Sequence, residues 1–460
     1  MKNVAIFALS NDNARNALIA LEHEKIIDIK AWLGVENGMG VITHDYSKLL
    51  SIDILKKHYE ICDQKIYLEI YKNLYIFLDM FARNGDIPIY ESVNVFNMWV
   101  NFYYSLFKEK KIEIIIWGDI PHFGMDSIAK NVADAMGIKT IMFMQSPMTN
   151  KFWSFSLIDD IGIFETIKNN AKEKVVIEKK YEKELFYMKD INKKSDRKTI
   201  QSLILVFRKS VTKIIYFAKK INEYKEKDLY NRIIIKIYNK IFMKFRNLYC
   251  RKLYDFNINH YSKQTVNLDS NYVYFPLHLQ PEMTTSALGK EYCDQLLALE
   301  KLQVMIPDEW KIYVKENPKQ TYYMREENFF KRLSLIPKVI LVGKKYNTYD
   351  LIKNSQFVST ISGTAGWEAI TGGKNVLVFG LAWYRRLPGV FEYTRNISLD
   401  EILSYRISHK DLENKHNELM NKAYTGVLEC GYEVVVKGYT HEKNNELLYK
   451  AFKEILKQIE

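Results

Sequence analysis

Val358–Gly380 reads VSTISGTAGWEAITGGKNVLVFG. Its two ends, VSTIS and NVLVFG, have the continuous apolar character of short strands buried on both faces. Between them Gly363, Thr364, Ala365 and Gly366 break the pattern, and an Ala- and Glu-bearing run follows that reads as the first turns of a helix. Strand, small-residue turn, helix and strand make a βαβ unit, which puts a parallel sheet in this part of the chain. A helix start exposes backbone N–H groups and partial positive charge, and small residues there let an anion, most often a phosphate, approach the backbone. The same spacing also serves a turn that uses glycine only for close packing, and GxxG is not the GxGxxG of dinucleotide binders.

The neighbouring segments repeat the alternation. Upstream lie NYVYFPLHLQPE, a helix over Tyr292–Lys301, EWKIYVKENP, VILVG and a short helix over Tyr349–Asn354. The N-terminal half gives VAIFAL, a helix over Ala14–His23, IIDIKAWLG, IEIIIWG, a helix near Met125–Met136, and KTIMFMQ. The aromatic-rich residues 50–110 read as helices packed around that first sheet. The final run Asn444–Lys457 reads as an amphipathic helix. These patterns predict an α/β chain of two Rossmann-like doubly wound domains facing a cleft, the GT-B-like arrangement. The expected division is 1–196 (N-terminal Rossmann-like domain), 197–260 (basic helical insertion), 261–440 (C-terminal Rossmann-like domain) and 441–460 (a helix returning to the first domain).

Length agrees with two domains, since 460 residues at 47% hydrophobic content exceed what one compact core holds. The net charge of +12 is concentrated: residues 197–252 carry 16 Lys or Arg against Glu223, Glu226 and Asp228, so the rest of the chain is close to neutral. That segment interleaves cations with Ile, Phe, Tyr and Leu at helical spacing, which suits an anionic membrane surface or, equally, a solvated helix pair packed on the domain. No nucleic-acid recognition motif accompanies the charge. No run approaches the roughly 18–20 apolar residues of a membrane span, and MKNVAIFAL followed by SNDNARN reads as a first strand, so a cytoplasmic protein is expected. Cys62, Cys250, Cys293 and Cys430 form no CxxC pair, which predicts reduced thiols with neither a zinc site nor a disulfide framework.

In doubly wound sheets ligands lie beyond the carboxyl ends of the strands. The unusual loops all fall there: Trp117–His122 (WGDIPH), Gln145–Asn150 (QSPMTN), Pro276–Glu282 (PLHLQPE), Lys315–Lys319 (KENPK), Ser362–Glu368 (SGTAGWE) and Gly380–Arg386 (GLAWYRR).

The order PLHLQPE, KENP and STISGTAGWEAITGGKNVLVFGLAWY resembles the capsular polysaccharide synthesis family, which includes retaining β-Kdo transferases and carries P-L-Q-x-x-x-D, K-x-H-P, S-x-x-G-x-E-A and G-x-x-x-Y. WGDIPHFGMDSIAKNVADAMGIKTIMF is similar to that family's G-D-x-x-x-H unit. The chain departs from the pattern at His278, Glu282, Asn317 and Gln145-Ser146-Pro147.

The resemblance implies a glycosyltransferase with a CMP-activated ulosonic acid as donor, Kdo or a nonulosonic acid such as pseudaminic or legionaminic acid, and a polysaccharide or lipid-linked glycan as acceptor. It implies Glu282 as nucleophile in a retaining transfer and Asp119 or His122 as the acceptor's base. Asp119 as a helix cap and His122 as a loop histidine are the plain alternatives. It further implies that Ser362, Gly363, Thr364 and Gly366 hold phosphate, that Glu368 accepts from ribose, and that His278, Lys315, Asn317, Tyr384 and Arg385, with Arg386, contact the donor. No DxD or HxxE cluster occurs, so neither metal nor cofactor is expected. A CDP-polyol phosphotransferase and a non-catalytic capsule assembly subunit are the competing expectations.

Overall fold

The computed structural model of the protein describes residues 1–34, 42–44, 52–82, 88–148, 150–174, 176–177 and 245–459. Residues 197–244, and with them most of the expected basic insertion and membrane-binding surface, lie outside the described residues.

The first sheet contains β1 (Lys2–Phe7), β2 (Ile27–Leu33), β3 (Ile42–His44), β4 (Ile114–Trp117), β5 (Lys139–Gln145) and β6 (Lys151–Phe155). The second contains β7 (Tyr272–Pro276), β8 (Lys311–Lys315), β9 (Val339–Val342), β10 (Phe357–Thr360), β11 (Val376–Val378) and β12 (Val390–Glu392). A last short strand, β13 (Tyr424–Thr425), rejoins the first sheet, whose order is β13-β6-β5-β4-β1-β2-β3. The second runs β12-β11-β10-β7-β8-β9, and every pairing in it is parallel. Each sheet reverses its strand order once, at β1/β4 in the first and at β7/β10 in the second. A crevice opens at such a switch point, because the two connections leave toward opposite faces of the sheet. The result is the GT-B-like pair of doubly wound lobes.

The strands are buried on both faces, as Val4, Ala5, Ile6 and Phe7 show in β1. One face is covered by the helix Asp12–His23, which starts where the Asn11 side chain accepts from Asn13 and Ala14 N–H groups and buries Ala14, Ala17, Leu18 and Leu21 at helical spacing. The C-terminal helix His441–Lys457 packs beside it through Leu448, Ala451, Phe452 and Ile455. The opposite face takes the aromatic helices, with Phe96, Trp99, Tyr103 and Phe107 in one cluster and Phe7 stacked on Trp117 at 5.1 Å. Burying each such side chain contributes about 1.5–3 kcal/mol.

Three features differ from the sequence expectation. β6 and β13 are antiparallel additions: Ser146 and Lys151 close a hairpin (Ser146 N–H to the Lys151 carbonyl, 2.8 Å), and Phe152 pairs with Tyr424. The chain therefore returns to the first sheet at Tyr424, ahead of the boundary at 441. The helix over 245–261 belongs to the second lobe, where Tyr254 and Ile258 join the core around Phe330. Among the described residues no helix is long and apolar enough to cross a membrane, and the four cysteines are free thiols.

The lobes meet along residues 159–164 and 382–385. Arg385 is buried there; its Nε donates to the Ile161 carbonyl at 2.6 Å, another guanidinium N–H reaches the Asp159 carbonyl, and Nη1 pairs with Glu392 at 2.7 Å. Gly162 has φ +83°, and a Cβ on it would lie 2.7 Å from the Ala382 carbonyl oxygen, so the two backbones meet only through a glycine. Trp153 stacks on Phe164 at 4.6 Å and on Trp383 at 5.7 Å. Arg385→Met leaves buried carbonyls unpaired and Glu392 with only the exposed Arg386 beside it, which costs about 3 kcal/mol. The expected outcome is a fall of several degrees in the thermal midpoint, followed by tryptophan fluorescence, and a midpoint equal to that of the native protein would remove Arg385 from the junction.

Candidate active site

The first-lobe loop leaves β4 at its switch point. Gly118 lies so close to the exit of β1 that a Cβ would stand 2.7 Å from the Ala8 carbonyl oxygen. Asp119 accepts the Ile120 N–H at 2.7 Å, and the His122 ring is anchored by Nδ1, which donates to the Ile120 carbonyl at 2.5 Å. The helix Met125–Ala135 is started by Asp126, which accepts from the N–H groups of His122, Phe123 and Ser127 at 2.9, 2.7 and 2.7 Å. The helix has Gly124 at its N-cap and no side-chain cap, so Asp119 does not fill the capping role that the sequence offered it, and its carboxylate accepts the Ile120 N–H instead. Burial pushes it up to about 6; His122 and the Ile120 N–H pull against that, and the charges of Asp126 and Glu282 add to it.

Glu282 belongs to the second lobe, on the loop after β7. That loop rests on buried polar groups. Gln295 Oε1 accepts the His278 N–H at 2.7 Å, Gln320 Oε1 accepts the Gln280 N–H at 2.8 Å, and Arg325 donates to Gln280 Oε1 at 2.8 Å and the His278 carbonyl at 3.2 Å. Arg325 and Glu316, both buried, form the ion pair beneath, at 2.8 Å. The His278 ring is buried, bonds Thr360 Oγ1 through Nε2 at 2.8 Å, and is driven down to about 4 by burial, so it is neutral at pH 7. Glu282 opens the short helix Met283–Ser286 and accepts from the Thr284 N–H at 3.0 Å and its hydroxyl at 2.5 Å.

The loop after β10 is locked to this one. Ser362 Oγ donates to the Thr284 carbonyl at 2.6 Å, and a Cβ on Gly363 would lie 2.8 Å from His278 Cε1. The helix Thr364–Thr371 then begins with no side-chain cap. Its first N–H groups keep the anion-binding character of an open helix start. One turn on, Glu368 is half-buried with no hydrogen bond or ion pair to its carboxylate among the described residues, and burial raises it to about 7. Two switch points, one per lobe, thus bring Asp119 and Glu282 into each other's field.

Residues 113–423 match the sequence profile of the capsule polysaccharide biosynthesis protein family, well over half of the chain. The chain belongs to that family. A search of curated proteins found no match. Among solved structures, the chain is similar to Thermosulfurimonas dismutans KpsC, beta Kdo 2,7 transferase, at 9% identity over 98% of this chain and 99% of that one, with a TM-score of 0.35. The beta Kdo 2,4 transferase of the same KpsC is 11% identical over 73% of this chain and 87% of that one, with a TM-score of 0.30. A UDP-GlcNAc 2-epimerase from Methanocaldococcus jannaschii is 11% identical over 99% and 93% respectively, with a TM-score of 0.20.

Within this capsule biosynthesis protein several residues read as donor contacts are committed to the fold. Lys315 donates to the Tyr346 carbonyl at 2.6 Å and to Thr348 Oγ1 at 2.9 Å, and burial lowers its pKa. The Asn317 side chain closes a turn by accepting the Lys319 N–H at 2.9 Å. Tyr384 is fully buried, its hydroxyl donating to the Gly363 carbonyl, and Arg385 holds the lobe junction. Arg386 is exposed and pairs with Glu392 at 3.1 Å. Gly366 answers to packing, because a Cβ there would lie 2.1 Å from the Tyr384 hydroxyl. The same small-residue turn therefore serves both purposes: Gly366 admits Tyr384, while the N–H groups ahead of it stay open.

Sequence reasoning missed Arg325, Gln280, Gln295 and Gln320, which bond one another and the His278 backbone across 15 to 47 residues of chain. It also missed Glu429, which stands in the field of Asp119 and Glu282. Among the described residues no group of three His, Cys, Asp or Glu is placed to hold a metal ion. Gly366→Ala is expected to cost about 1–3 kcal/mol by overpacking. In a denaturation cycle, Gly366→Ala/Tyr384→Phe should recover part of that loss, and strictly additive losses would show that the tyrosine hydroxyl is not what excludes a side chain at 366.

Proposed function

We propose that this protein transfers an ulosonic acid, Kdo or a nonulosonic acid such as pseudaminic or legionaminic acid, from its CMP-activated form to a growing capsular or surface polysaccharide, with retention. The observation that carries the reading is that the charge of Glu282, on one lobe, reaches Asp119 on the other, each on a loop at the switch point of its sheet.

The donor's phosphate takes the open N–H groups at the start of the helix Thr364–Thr371, with Gly363 allowing close approach, and Glu368 accepts from the ribose hydroxyls. Ser362 and His278 act as positioning residues that hold this turn against the loop of Glu282. The Glu282 carboxylate attacks the anomeric carbon as the bond to the CMP oxygen breaks, giving a glycosyl ester and free CMP. The acceptor hydroxyl then attacks the same carbon from the vacated face. Its proton passes to Asp119, and the ester bond breaks to restore the Glu282 carboxylate. His122, its ring anchored through Nδ1 to the Ile120 carbonyl, stands beside Asp119 as the second candidate to take that proton. The reading is of a metal-independent transfer, in which added chelator leaves the rate unchanged.

Asp119 works as a base only when ionised, so transfer should rise as pH passes through about 6 and level off above it. Incubation with CMP-Kdo, CMP-pseudaminate, CMP-legionaminate, CMP-sialate and CDP-glycerol, followed by CMP release, tests the assignment. One CMP-linked acidic sugar should release CMP, and Glu282→Gln should slow this by about 10⁴-fold or more. Asp119→Asn should let the glycosyl ester accumulate as a mass shift on the protein. Turnover of CDP-glycerol alone would favour a polyol phosphotransferase, and response to no donor would favour a non-catalytic assembly role.

A further inference from the structure

The helix Leu74–Phe81 belongs to the first lobe, yet it packs on Met283–Ser286, the short second-lobe helix that Glu282 opens, and Tyr75 reaches Cys293 beside it. It also borders the loop of Asp119, since a Cβ on Gly124 would lie 3.3 Å from Phe77 Cε2 and 3.5 Å from Phe81 Cβ. The end of this helix, with Leu78, Phe81 and Ala82, forms one wall of a cavity of about 490 Å³.

The second lobe forms the other wall, from Tyr254 of the helix over 245–261 and from Tyr322, Tyr323, Arg325 and Phe329 of the segment after β8. That segment lies at the same sheet edge as the loop of Glu282 and is bonded to it, Gln320 accepting the Gln280 N–H and Arg325 donating to Gln280 Oε1. The cavity therefore adjoins the site along both lobes. Its size falls in the range of about 300–1,000 Å³ usual for small-molecule sites, and its lining is aromatic with a few polar groups. The Tyr322 and Tyr323 rings stack at 4.4 Å, and the Arg325 guanidinium covers the Phe329 ring at 4.2 Å. The Tyr322 hydroxyl donates to Asn247 Oδ1 at 2.9 Å. Tyr254 differs: it is 4% exposed, it lies in the field of Glu316 and Arg325, and its hydroxyl has no hydrogen-bond partner.

A buried hydroxyl without a partner is a cost that a ligand removes by supplying one. A hydrocarbon chain would satisfy the apolar wall and leave the Tyr254 hydroxyl unpaired. A sugar ring presents an apolar face to the aromatic rings and its own hydroxyls to Tyr254. We propose that this cavity is an acceptor subsite, which holds the sugar ring preceding the one whose hydroxyl is glycosylated, with Tyr254 hydrogen-bonded to that ring. The inference deepens the glycosyltransferase reading above and rests on it. An acceptor of two or more sugars engages the subsite and the reacting position together, whereas a single sugar engages only the latter.

The test uses the full-length protein and whichever CMP-linked sugar it turns over. The acceptors are oligosaccharides of one to four residues, cut by mild acid from the surface polysaccharide of the cells that make this protein, with the decyl glycoside of the single sugar as the hydrocarbon comparison. From one residue to two, kcat/KM should rise about tenfold or more and then level off. Tyr254→Phe should reduce that step to about twofold, with a thermal midpoint at or above the native value because an unpaired hydroxyl is removed. Ala82→Trp, which fills the cavity from the other lobe, should abolish the step. Equal kcat/KM for one residue and two, transfer to none of the oligosaccharides, an unchanged step in Tyr254→Phe, or a decyl glycoside that outperforms the disaccharide would overturn the subsite and leave the glycosyltransferase reading standing. CMP release from none of the donors would overturn both.

Discussion

The second-lobe loop that carries Glu282 stands on the Arg325–Glu316 ion pair. The two side chains are almost completely buried, 0% and 2% exposed, and the guanidinium spends its remaining donors on Gln280 Oε1 and on the carbonyls of His278 and Met324. A buried ion pair gains little net stability over an apolar substitute, but removing one partner strands the other charge at a cost of about 3–5 kcal/mol. Its consequence here is geometric. It fixes the backbone of residues 278–280, which fixes the His278 ring against Thr360 and starts the turn in which Glu282 accepts from Thr284. Ser362 then ties Thr284 to the loop after β10. A chain of hydrogen bonds thus runs from a buried arginine to the carboxylate proposed to attack the sugar.

The two lobes contribute in different ways. The second lobe supplies an open helix start and a fixed carboxylate, so it suits a phosphorylated donor. The first supplies carboxyls that are held up by burial and by one another, which suits the acceptance of protons near neutrality. The lobe junction at Arg385, Gly162 and the Trp153–Trp383 stack holds them in register. Asp119 can respond to Glu282 only because that junction sets the separation of the two switch points.

Much of this was legible in the sequence where the physics is local. Buried parallel strands announce themselves as apolar runs, and the helices between them by their periodicity, so the two doubly wound sheets could be read directly. The loops at their carboxyl ends followed from topology. What sequence could not show is where long side chains finish. Tyr384 and Arg385 look like ligand contacts in GLAWYRR, yet one wedges under Gly366 and the other bridges to carbonyls more than two hundred residues earlier. Lys315 looks like a free cation at a strand end, yet its ammonium closes a neighbouring loop. β13 is two residues long, too short for any periodic signal, and because it was invisible so was the position of Glu429 beside Asp119.

The central claim is that Asp119 and Glu282 share one gap, and titration of the Asp119 carboxyl measures this directly. With aspartate labelled at the carboxyl carbon and Asp119→Asn used to assign the signal, the native protein should show Asp119 titrating at about 6. In Glu282→Gln, where the facing negative charge is gone, that value should fall. An Asp119 titration that does not move when Glu282 is neutralised would mean that the two carboxylates do not face each other, and the account of donor and acceptor meeting between them would be wrong.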